Sequence, residues 1–522
     1  MNQTSFFSSR VLRGITLVLI FSTALAIRLY DLTDLPLDFH PTRQLLSAIK
    51  ARGLYYETQP DGVSTWKLET AIHQAKLKSD VEPVVFERLV AFTYRFTGEQ
   101  LWIARIYSSV FWLIGGIFLF MLVRELVSFE GAILSIAYYL LFPYAIIASR
   151  SFQPDPLMVM LILAFWWMFS RWMALTSASP RFDFAGAPFS ASGRGAWGWA
   201  LLAGLLGGFA IFIKFSAAFF VIGGALGFAL SQYSFRDLLR NFQIWVMAAL
   251  GALPALAYLV YGIFIAGFFG QQFSGRFVPA LLLSPLNYLQ WETKASMAAG
   301  GIFIMLALLS FFFVRDRRMC MFLYGLWYAY LFYGLFFDYH VATHDYYHLP
   351  FIPIVAVSLA PLGDWFLARL TEATTQRWMR SAAYLILIYG LFSIVWDVRN
   401  QMKDVDYRPD AVMWTEIGNR FNEDTRIIAL TQDYGSRLQY WGWRTAATWP
   451  YVGDIDHVDV RGGGFVFENV FKRYSSQRDF FLVTDLDELE RQPELKERLF
   501  LSYPIYAQGN NYVIFDLQSA LQ

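Results

Sequence analysis

The sequence contains little charge for its length. Lys, Arg, Asp and Glu together make up 16% of its 522 residues, whereas a soluble globular protein has about 25%. Hydrophobic residues account for 56% of the chain and aromatic residues for 19%. The formal net charge of +1 gives no electrostatic basis for nucleic acid as a partner. This composition favours an integral membrane protein.

The sequence also contains little cysteine. Cys320 is the single cysteine, so no disulfide can form within the chain, and redox chemistry does not indicate a compartment. Because Cys320 lies inside an apolar run, we interpret it as a small core residue.

Apolar stretches of the length that crosses a bilayer core, about 17–25 residues, recur along the chain. The first of them follows Arg10 and Arg13 and contains Ala24-Leu25-Ala26, which also fits a cleaved signal peptide. Ten further apolar segments follow, however, and the first fits their topology. We therefore predict about 11 transmembrane helices, at 11–29, 104–123, 130–148, 156–172, 197–213, 216–232, 243–265, 298–314, 319–337, 350–368 and 381–396.

The positive charges of the short loops predict the orientation, because Lys and Arg concentrate on the cytoplasmic side. One set of loops contains Arg10, Arg13, Arg124, Arg171, Arg181, Arg194, Arg236, Arg240, Arg315, Arg317, Arg318, Arg369, Arg377 and Arg380. The opposite short loops contain only Arg150, Lys214, Arg276 and Lys294. We therefore predict a multi-pass protein of the cell (inner) membrane, with a cytoplasmic N-terminus and an extracytoplasmic C-terminal domain.

Two long segments are then expected outside. The transmembrane module, residues 1–396, includes a first outer loop at about 30–103. In that loop Gln44–Tyr56 and Val84–Phe96 have apolar residues at helical spacing with basic residues between them. Such helices either lie in the headgroup plane or pack on the transmembrane bundle, and the sequence leaves both readings open.

Residues 397–522 have the composition of a soluble domain. Short β-rich runs at Arg426–Thr431, Phe480–Thr484, Leu501–Ala507 and Tyr512–Phe515 alternate with helix-like runs at Ala411–Phe421 and Leu486–Leu499. This alternation predicts a small α/β domain.

Chemistry-bearing residues collect at the predicted outer ends of the spans. Four groups stand out: Asp31, Asp34, Asp38, His40 and Arg43 after the first span; Arg150 and Asp155 in Ser-Arg-Ser-Phe-Gln-Pro-Asp-Pro; Lys214 in Phe-Ile-Lys-Phe-Ser; and His344-Asp345-Tyr346-Tyr347-His348.

Charges beside apolar spans are costly unless they are paired or solvated, so they often mark function. Snorkelling is the structural alternative for Arg150 and Lys214, and helix capping is the alternative for Asp155. The spacing of His344 and His348 places both rings on one helical face, which is typical of a metal site, but no third ligand is evident. We therefore predict no metal site and no cofactor.

In the order and sidedness of these segments, the chain resembles the GT-C superfamily of membrane glycosyltransferases. Within it, the chain is similar to the bacterial relatives of protein O-mannosyltransferases and of the lipid A aminoarabinose transferase (families 39 and 83). The resemblance covers roughly residues 11–396. It rests on the acidic stretch after the first span and on Ala-Arg-Ile-Tyr-Ser-Ser, the segment at 149–157, Gly-Gly-Phe-Ala-Ile-Phe-Ile-Lys and His-Asp-Tyr-Tyr-His-Leu-Pro.

The resemblance implies transfer of a hexosyl or pentosyl group from a polyprenyl-phosphate donor to an acceptor hydroxyl, with inversion at the anomeric carbon. Asp38 is expected to be the base, and Asp155 to orient the acceptor or to anchor Lys214 or Arg150. Family members commonly have an Asp-Glu pair at the loop entrance, whereas Phe39 follows Asp38 here. The remaining predicted site residues bind the donor phosphate (Lys214, Arg150, His344, Tyr346 and His348) or are further first-loop candidates (His40 and Arg43).

Two other functions were weighed from the residues. A secondary transporter or a flippase of a lipid-linked sugar predicts mid-span charges or helix breaks in repeated halves, whereas the polar residues here collect at one face. A non-catalytic membrane scaffold is the third reading. The sequence does not identify the sugar, the acceptor (lipid, protein or glycan), the length of the lipid or the oligomeric state.

Overall fold

The computed structural model describes residues 6–7, 9–78, 82–177, 192–267, 277–374, 376–460 and 464–519. Arg181 and Arg276, which contribute to the loop charges, lie outside these residues. The chain divides into two compact units. The first unit consists of Met1–Leu32, Ser79–Phe86 and Trp102–Val405, and the second of Thr33–Lys78, Glu87–Leu101 and Asp406–Gln522.

The N-terminal part of the chain forms α1 and then three helices from the predicted first outer loop. Their bounds are α1 (Arg10–Leu29), α2 (Pro41–Tyr56), α3 (Thr65–Leu77) and α4 (Val85–Thr97).

The remainder of the first unit is helical. Its helices are α5 (Trp102–Leu126), α6 (Phe129–Leu141), α7 (Pro143–Ala148), α8 (Asp155–Ser177), α9 (Ser192–Ile213), α10 (Ala217–Gln232), α11 (Phe235–Arg240), α12 (Phe242–Val260), α13 (Pro285–Ala299), α14 (Gly301–Leu309), α15 (Arg317–Phe336), α16 (Asp338–Thr343), α17 (Phe351–Ala373) and α18 (Arg377–Asp404).

These helices confirm a polytopic helical membrane protein. Within the described ranges, eight helical segments are long and apolar enough to cross a membrane: α1, α5, α8, α9, α12, α15, α17 and the segment that begins in α18. Two other predicted spans contain the shorter apolar helices α6 and α10. The span predicted at 298–314 corresponds to α14, which forms a pair with the unpredicted α13, bent by 90°. The break falls at Gly300, whose φ of +77° is readily adopted only by glycine.

Glycines bring α10 and α15 close together. A β-carbon added at Gly325 of α15 would lie 2.3 Å from the carbonyl oxygen of Gly223 on α10. One added at Gly227, a turn further along α10, would lie 2.6 Å from the carbonyl oxygen of Met321. Small residues four apart allow this approach between membrane helices, whose association depends on van der Waals packing.

In the second unit, α2 is packed on several sides rather than laid on a lipid surface. Its polar residues Gln44, Lys50 and Arg52 are all buried. The guanidinium of Arg52 forms an ion pair with Glu99 at 2.8 Å and lies 3.7 Å from the ring centroid of Tyr440. The headgroup-plane reading is therefore wrong for α2.

The C-terminal part of the second unit confirms the predicted small α/β fold. Its elements are α19 (Arg408–Asn419), β1 (Ile427–Leu430), α20 (Ser436–Tyr440), β2 (Ala446–Thr448), α21 (Val452–Val460), α22 (Phe467–Ser475), β3 (Phe480–Val483), α23 (Leu486–Glu490), α24 (Pro493–Ser502), β4 (Ile505–Gly509) and β5 (Tyr512–Asp516).

These strands form one sheet in the order β2-β1-β3-β5-β4. Strands β2, β1 and β3 are parallel, and β5 pairs antiparallel with β3 and β4. The central strands are buried on both faces, with Ile428 and Phe481 in one apolar cluster and Ile427 and Leu482 in the other. The sheet thus has a hydrophobic layer on each of its two faces.

The division of the chain differs from the boundary expected at residues 396 and 397. That boundary falls inside α18, which continues to Asp404. The predicted first outer loop is also shared between the units, because residues 79–86 belong to the first unit and the segments on either side belong to the second.

The α10–α15 contact gives a direct test of the fold. Gly325→Ala places a methyl group against backbone, which cannot yield as a flexible side chain can, so we expect a loss of about 1–3 kcal/mol. The measurement is the midpoint of thermal unfolding of the purified protein in detergent. Gly251→Ala on α12 is the matched control, since its β-carbon meets nothing within 4 Å. Equal midpoints for the two variants would contradict the close approach.

Candidate functional site

A buried ion pair joins two of the predicted site residues in the first unit. The Nζ of Lys214 lies 2.9 Å from Oδ1 of Asp155, and the exposed side-chain fractions are 9% and 1%. Asp155 opens α8, where the free N–H groups and the helix dipole favour a carboxylate. Lys214 follows the last residue of α9, in the turn that leads to α10. Of the two cations that Asp155 was expected to anchor, Lys214 and Arg150, the structure shows it in contact with Lys214.

Further groups surround the Lys214 ammonium. Oε1 of Glu82 lies 3.7 Å from Nζ, and the ring centroids of Tyr347 and Tyr346 lie 5.1 and 5.6 Å from it. Glu82 and Tyr347 were not among the predicted site residues. Two acidic groups and two aromatic faces are favourable surroundings for a cation.

The segment containing the two histidines is not α-helical. His344 has extended backbone angles, and Asp345–His348 form a 3-10 helix. The prediction that His344 and His348 share one α-helical face is therefore wrong.

His348 is fully buried and both of its ring nitrogens are used within the protein. Nε2 lies 2.9 Å from the carbonyl oxygen of Val341, which can only accept, so Nε2–H is the donor. Nδ1 then accepts from the hydroxyl of Tyr330 at 2.8 Å, and that hydroxyl accepts from Nε1 of Trp291 at 2.9 Å. This chain of hydrogen bonds fixes a neutral imidazole in a packing role and leaves it no nitrogen for a phosphate.

Arg150 is also buried, and it connects distant parts of the first unit. One terminal nitrogen donates to the carbonyl oxygen of Asp31 at 2.9 Å, and the other contacts the sulfur of Met402 at 2.9 Å. Arg28, which the sequence analysis placed inside the first span, is fully buried nearby and donates to Ser149 at 2.8 Å. Arg150 therefore links the ends of α1 and α18, which fits a structural role.

The first-loop candidates lie in the second unit, where the acidic residues differ in their surroundings. Asp34 is buried, and its Oδ1 accepts from the backbone N–H groups of Leu35 at 2.8 Å and Tyr407 at 3.0 Å. Asp38 is half-buried, and its Oδ1 accepts from Nε2 of Gln44 at 3.3 Å. Burial, followed by the nearby carboxylates of Asp38 and Asp34, raises the pKa of Tyr407.

His40 and Arg43 lie at the start of α2 in this unit. His40 is the residue before the helix and has a left-handed backbone with φ of +45°, which is uncommon for a residue other than glycine. Arg43 follows in the first turn and is half-buried. Between them Thr42 donates to Asp433 at 3.0 Å, which connects the start of α2 to the segment after β1.

The histidine spacing suggested a metal only weakly, and the geometry adds no support for one. Within the part of the chain that the structure describes, no three His, Cys, Asp or Glu side chains are placed to share a metal ion. The absence of a metal stays a prediction.

Comparison with known proteins connects this architecture to enzymes. Residues 81–261 match the family model described as dolichyl-phosphate-mannose-protein mannosyltransferase. The structure of ArnT from Cupriavidus metallidurans in the apo state is similar over 96% of this chain and 97% of that one, with a TM-score of 0.54 and 15% identity. The chain has the GT-C fold.

Other solved structures agree with this assignment. ArnT from the same organism bound to undecaprenyl phosphate matches with a TM-score of 0.54 and 16% identity, covering 96% of this chain and 98% of that one. The oligosaccharyltransferase AglB from Archaeoglobus fulgidus, in complex with an inhibitory peptide and a dolichol-phosphate, matches with a TM-score of 0.53 and 11% identity, covering 97% and 74%. No curated protein matches the chain by sequence. The predicted resemblance to the GT-C superfamily is confirmed as a fold.

The Lys214–Asp155 pair predicts a specific pattern of stability. Lys214→Met or Asp155→Asn alone removes one partner of a buried pair and should cost about 3–5 kcal/mol. The double variant should recover much of that loss, because neither charge is then left alone. Thermal unfolding of the purified protein in detergent measures all three.

The control is the exposed ion pair between Arg171 and Glu125, whose charged groups lie 3.0 Å apart. The side chain of Arg171 is 40% exposed and that of Glu125 is 24% exposed. Arg171→Met should cost less than about 1 kcal/mol. If the two single variants and the double variant lose stability additively, the pair is not coupled.

Proposed function

We propose that the chain is a glycosyltransferase that moves a sugar from a polyprenyl-phosphate donor to an acceptor hydroxyl, inverting the anomeric carbon. The observation that supports this most is the agreement of the GT-C fold over nearly the full length of both this chain and ArnT. One of those ArnT structures contains undecaprenyl phosphate. The donor, the bilayer and a lipid, protein or glycan acceptor are the proposed partners.

In the proposed reaction, Asp38 removes the proton from the acceptor hydroxyl. The acceptor oxygen then bonds to the anomeric carbon, and the bond from that carbon to the phosphate oxygen breaks. The polyprenyl phosphate leaves with the electron pair. The sugar gains oxocarbenium character in the transition state, as in glycoside hydrolysis, and a positioned base and a cation at the leaving group are what the reaction requires.

The local contacts support Asp38 as the base over its neighbours. Asp34 accepts two backbone N–H groups and is buried, which fits a capping role. Asp31 has a left-handed backbone with φ of +47°, and its carbonyl oxygen accepts from Arg150, which fits a turn. Asp38 retains more exposure than Asp34, as a group that exchanges a proton with substrate requires.

Lys214 is the proposed ligand of the donor phosphate. An ammonium has three donors, so a phosphate oxygen would share it with Asp155, and Asp155 would act by holding the ammonium in place. Tyr346 lies beside this ammonium, and His344 belongs to the same segment and is half-buried. Arg150 and His348 are not included, since their contacts are internal.

The base assignment predicts a large effect from a small change. Asp38→Asn keeps the shape of the side chain but cannot take the proton, so transfer should fall by about 10²–10⁴ while donor binding is kept. Asp34→Asn should cost far less, because an amide oxygen still accepts the two backbone N–H groups. Asp31→Asn should also cost far less, because Asp31 contacts Arg150 through its backbone carbonyl oxygen. The assay is sugar transfer from purified polyprenyl-phosphate sugars to a membrane extract, at equal amounts of folded protein.

A loss confined to Asp34→Asn or Asp155→Asn would move the base to that residue. Wild-type protein that transfers no sugar from a broad panel of lipid-linked donors would count against catalysis. Movement of the intact lipid-linked sugar across proteoliposome membranes without transfer would favour a flippase.

We also propose that the N-terminus is cytoplasmic and the C-terminal α/β fold extracytoplasmic, on the strength of the loop charges. In a Cys320→Ala background, Ser476→Cys after α22 should react with an impermeant maleimide in intact cells. Ser234→Cys, which precedes α11 in a predicted cytoplasmic loop, should react only after lysis. Both positions are exposed. The reverse pattern would overturn the orientation.

A further inference from the structure

Asp155 and two residues close to the Lys214–Asp155 pair in sequence have buried polar side-chain atoms with no hydrogen-bond partner among the described residues. They are both amide atoms of Gln153, Oδ2 of Asp155 and Oγ of Ser216. Their residues are 1%, 1% and 4% exposed. A buried polar atom without a partner costs about 1–3 kcal/mol, and native proteins contain few of them.

The three side chains belong to one place in the fold. Gln153 lies two residues before Asp155, in the turn that enters α8, and Ser216 lies two residues after Lys214, in the turn that enters α10. The 2.9 Å contact between Lys214 and Asp155 brings these turns together. The residues that carry the unpartnered atoms therefore lie in two turns that the ion pair joins, where α8 and α10 begin.

The chemistry of the group fits hydroxyl groups. An amide offers a donor and an acceptor, a serine hydroxyl offers both, and a carboxylate oxygen accepts. Neighbouring hydroxyls on a sugar ring each donate and accept in the same way. An apolar ligand would leave every one of these atoms unsatisfied.

The charges of the group favour an uncharged ligand. Gln153 and Ser216 are neutral, and the charge of Asp155 is met by Lys214 at 2.9 Å, whereas Glu82 lies further from the same ammonium, at 3.7 Å. A cationic amino sugar would compete with Lys214 for the same carboxylate, and an anionic sugar would meet that carboxylate directly.

We propose that Gln153, Ser216 and Oδ2 of Asp155 bind the hydroxyl groups of an uncharged sugar on the lipid-linked donor. This inference rests on the proposed function and names the class of sugar that the site accepts. Lys214 binds the phosphate end of the same molecule.

The experiment compares lipids with and without the sugar on full-length protein in detergent. The probes are undecaprenyl phosphate and undecaprenyl-phosphate sugars with mannose, glucose, galactose, N-acetylglucosamine or the cationic 4-amino-4-deoxyarabinose. We expect wild type to bind at least one neutral sugar lipid more tightly than undecaprenyl phosphate itself. Gln153→Met and Ser216→Ala should each weaken binding of that sugar lipid by about tenfold, and should leave binding of undecaprenyl phosphate unchanged.

Ser216→Ala is small enough to keep the fold, so the test does not depend on Gln153→Met alone. Equal weakening of both lipids would show a general structural role and overturn the inference. Unchanged binding of all lipids would mean that the atoms hold buried water only. Preference for the aminoarabinose lipid over every neutral one would overturn the class of sugar. Failure of wild type to bind any undecaprenyl phosphate would instead overturn the proposed function.

Discussion

A chain segment in hydrocarbon has no water to bond its backbone, so each crossing must satisfy its N–H and C=O groups within a helix. The first unit follows from this constraint. Its long apolar helices contain few charges, and the exceptions, such as Arg28, are buried and donate to nearby oxygens. Polar chemistry is thereby confined to the ends of the helices, where Asp155 and Lys214 lie.

The ion pair between these two residues shows how such an end is stabilised. Separating charges from water costs several kcal/mol for each ion, and the contact between Lys214 and Asp155 offsets this for both. In the site that we propose, Lys214 binds the donor phosphate, and the polar atoms of Gln153 and Ser216 select the sugar by hydrogen bonds.

Part of this could be predicted from the sequence, because hydrophobic length and β-branched runs are local signals. Nine of the eleven predicted spans each coincide with one helix, whereas 130–148 is divided between α6 and α7 and 298–314 contains the break at Gly300. Strands β1, β3 and β5 lie where the β-rich runs indicated. The short strand Ala446–Thr448 was missed, since three residues give almost no pattern. The run predicted as strand from Leu501 instead begins as the end of α24, because the sequence does not show where a helix stops before Pro504.

Contacts between distant residues were beyond the sequence. Lys214 and Asp155 are 59 residues apart, and neither hydropathy nor spacing pairs them. Glu82 lies 3.7 Å from Lys214, but the loop that contains Glu82 has no motif that would predict this contact. The prediction that His344 and His348 share a helical face was wrong, because a four-residue spacing implies a shared face only in an α-helix. Asp345–His348 form the tighter 3-10 helix. Gln153 lies in the segment Ser-Arg-Ser-Phe-Gln-Pro-Asp-Pro, but a neutral amide in a sequence does not indicate a binding residue. Only its burial in the structure does so.

The second unit is assembled from three separate stretches of the chain, and this affects how it is made. Helix α2 is synthesised early, yet residues that bury it, such as Tyr440, are synthesised nearly four hundred positions later. At about 5–20 residues per second, α2 waits roughly 20–80 s for them. During that interval the intervening helices of the first unit are synthesised. We expect the polar side chains of α2, such as Lys50 and Arg52, to keep the nascent segment soluble until the residues that bury them are synthesised.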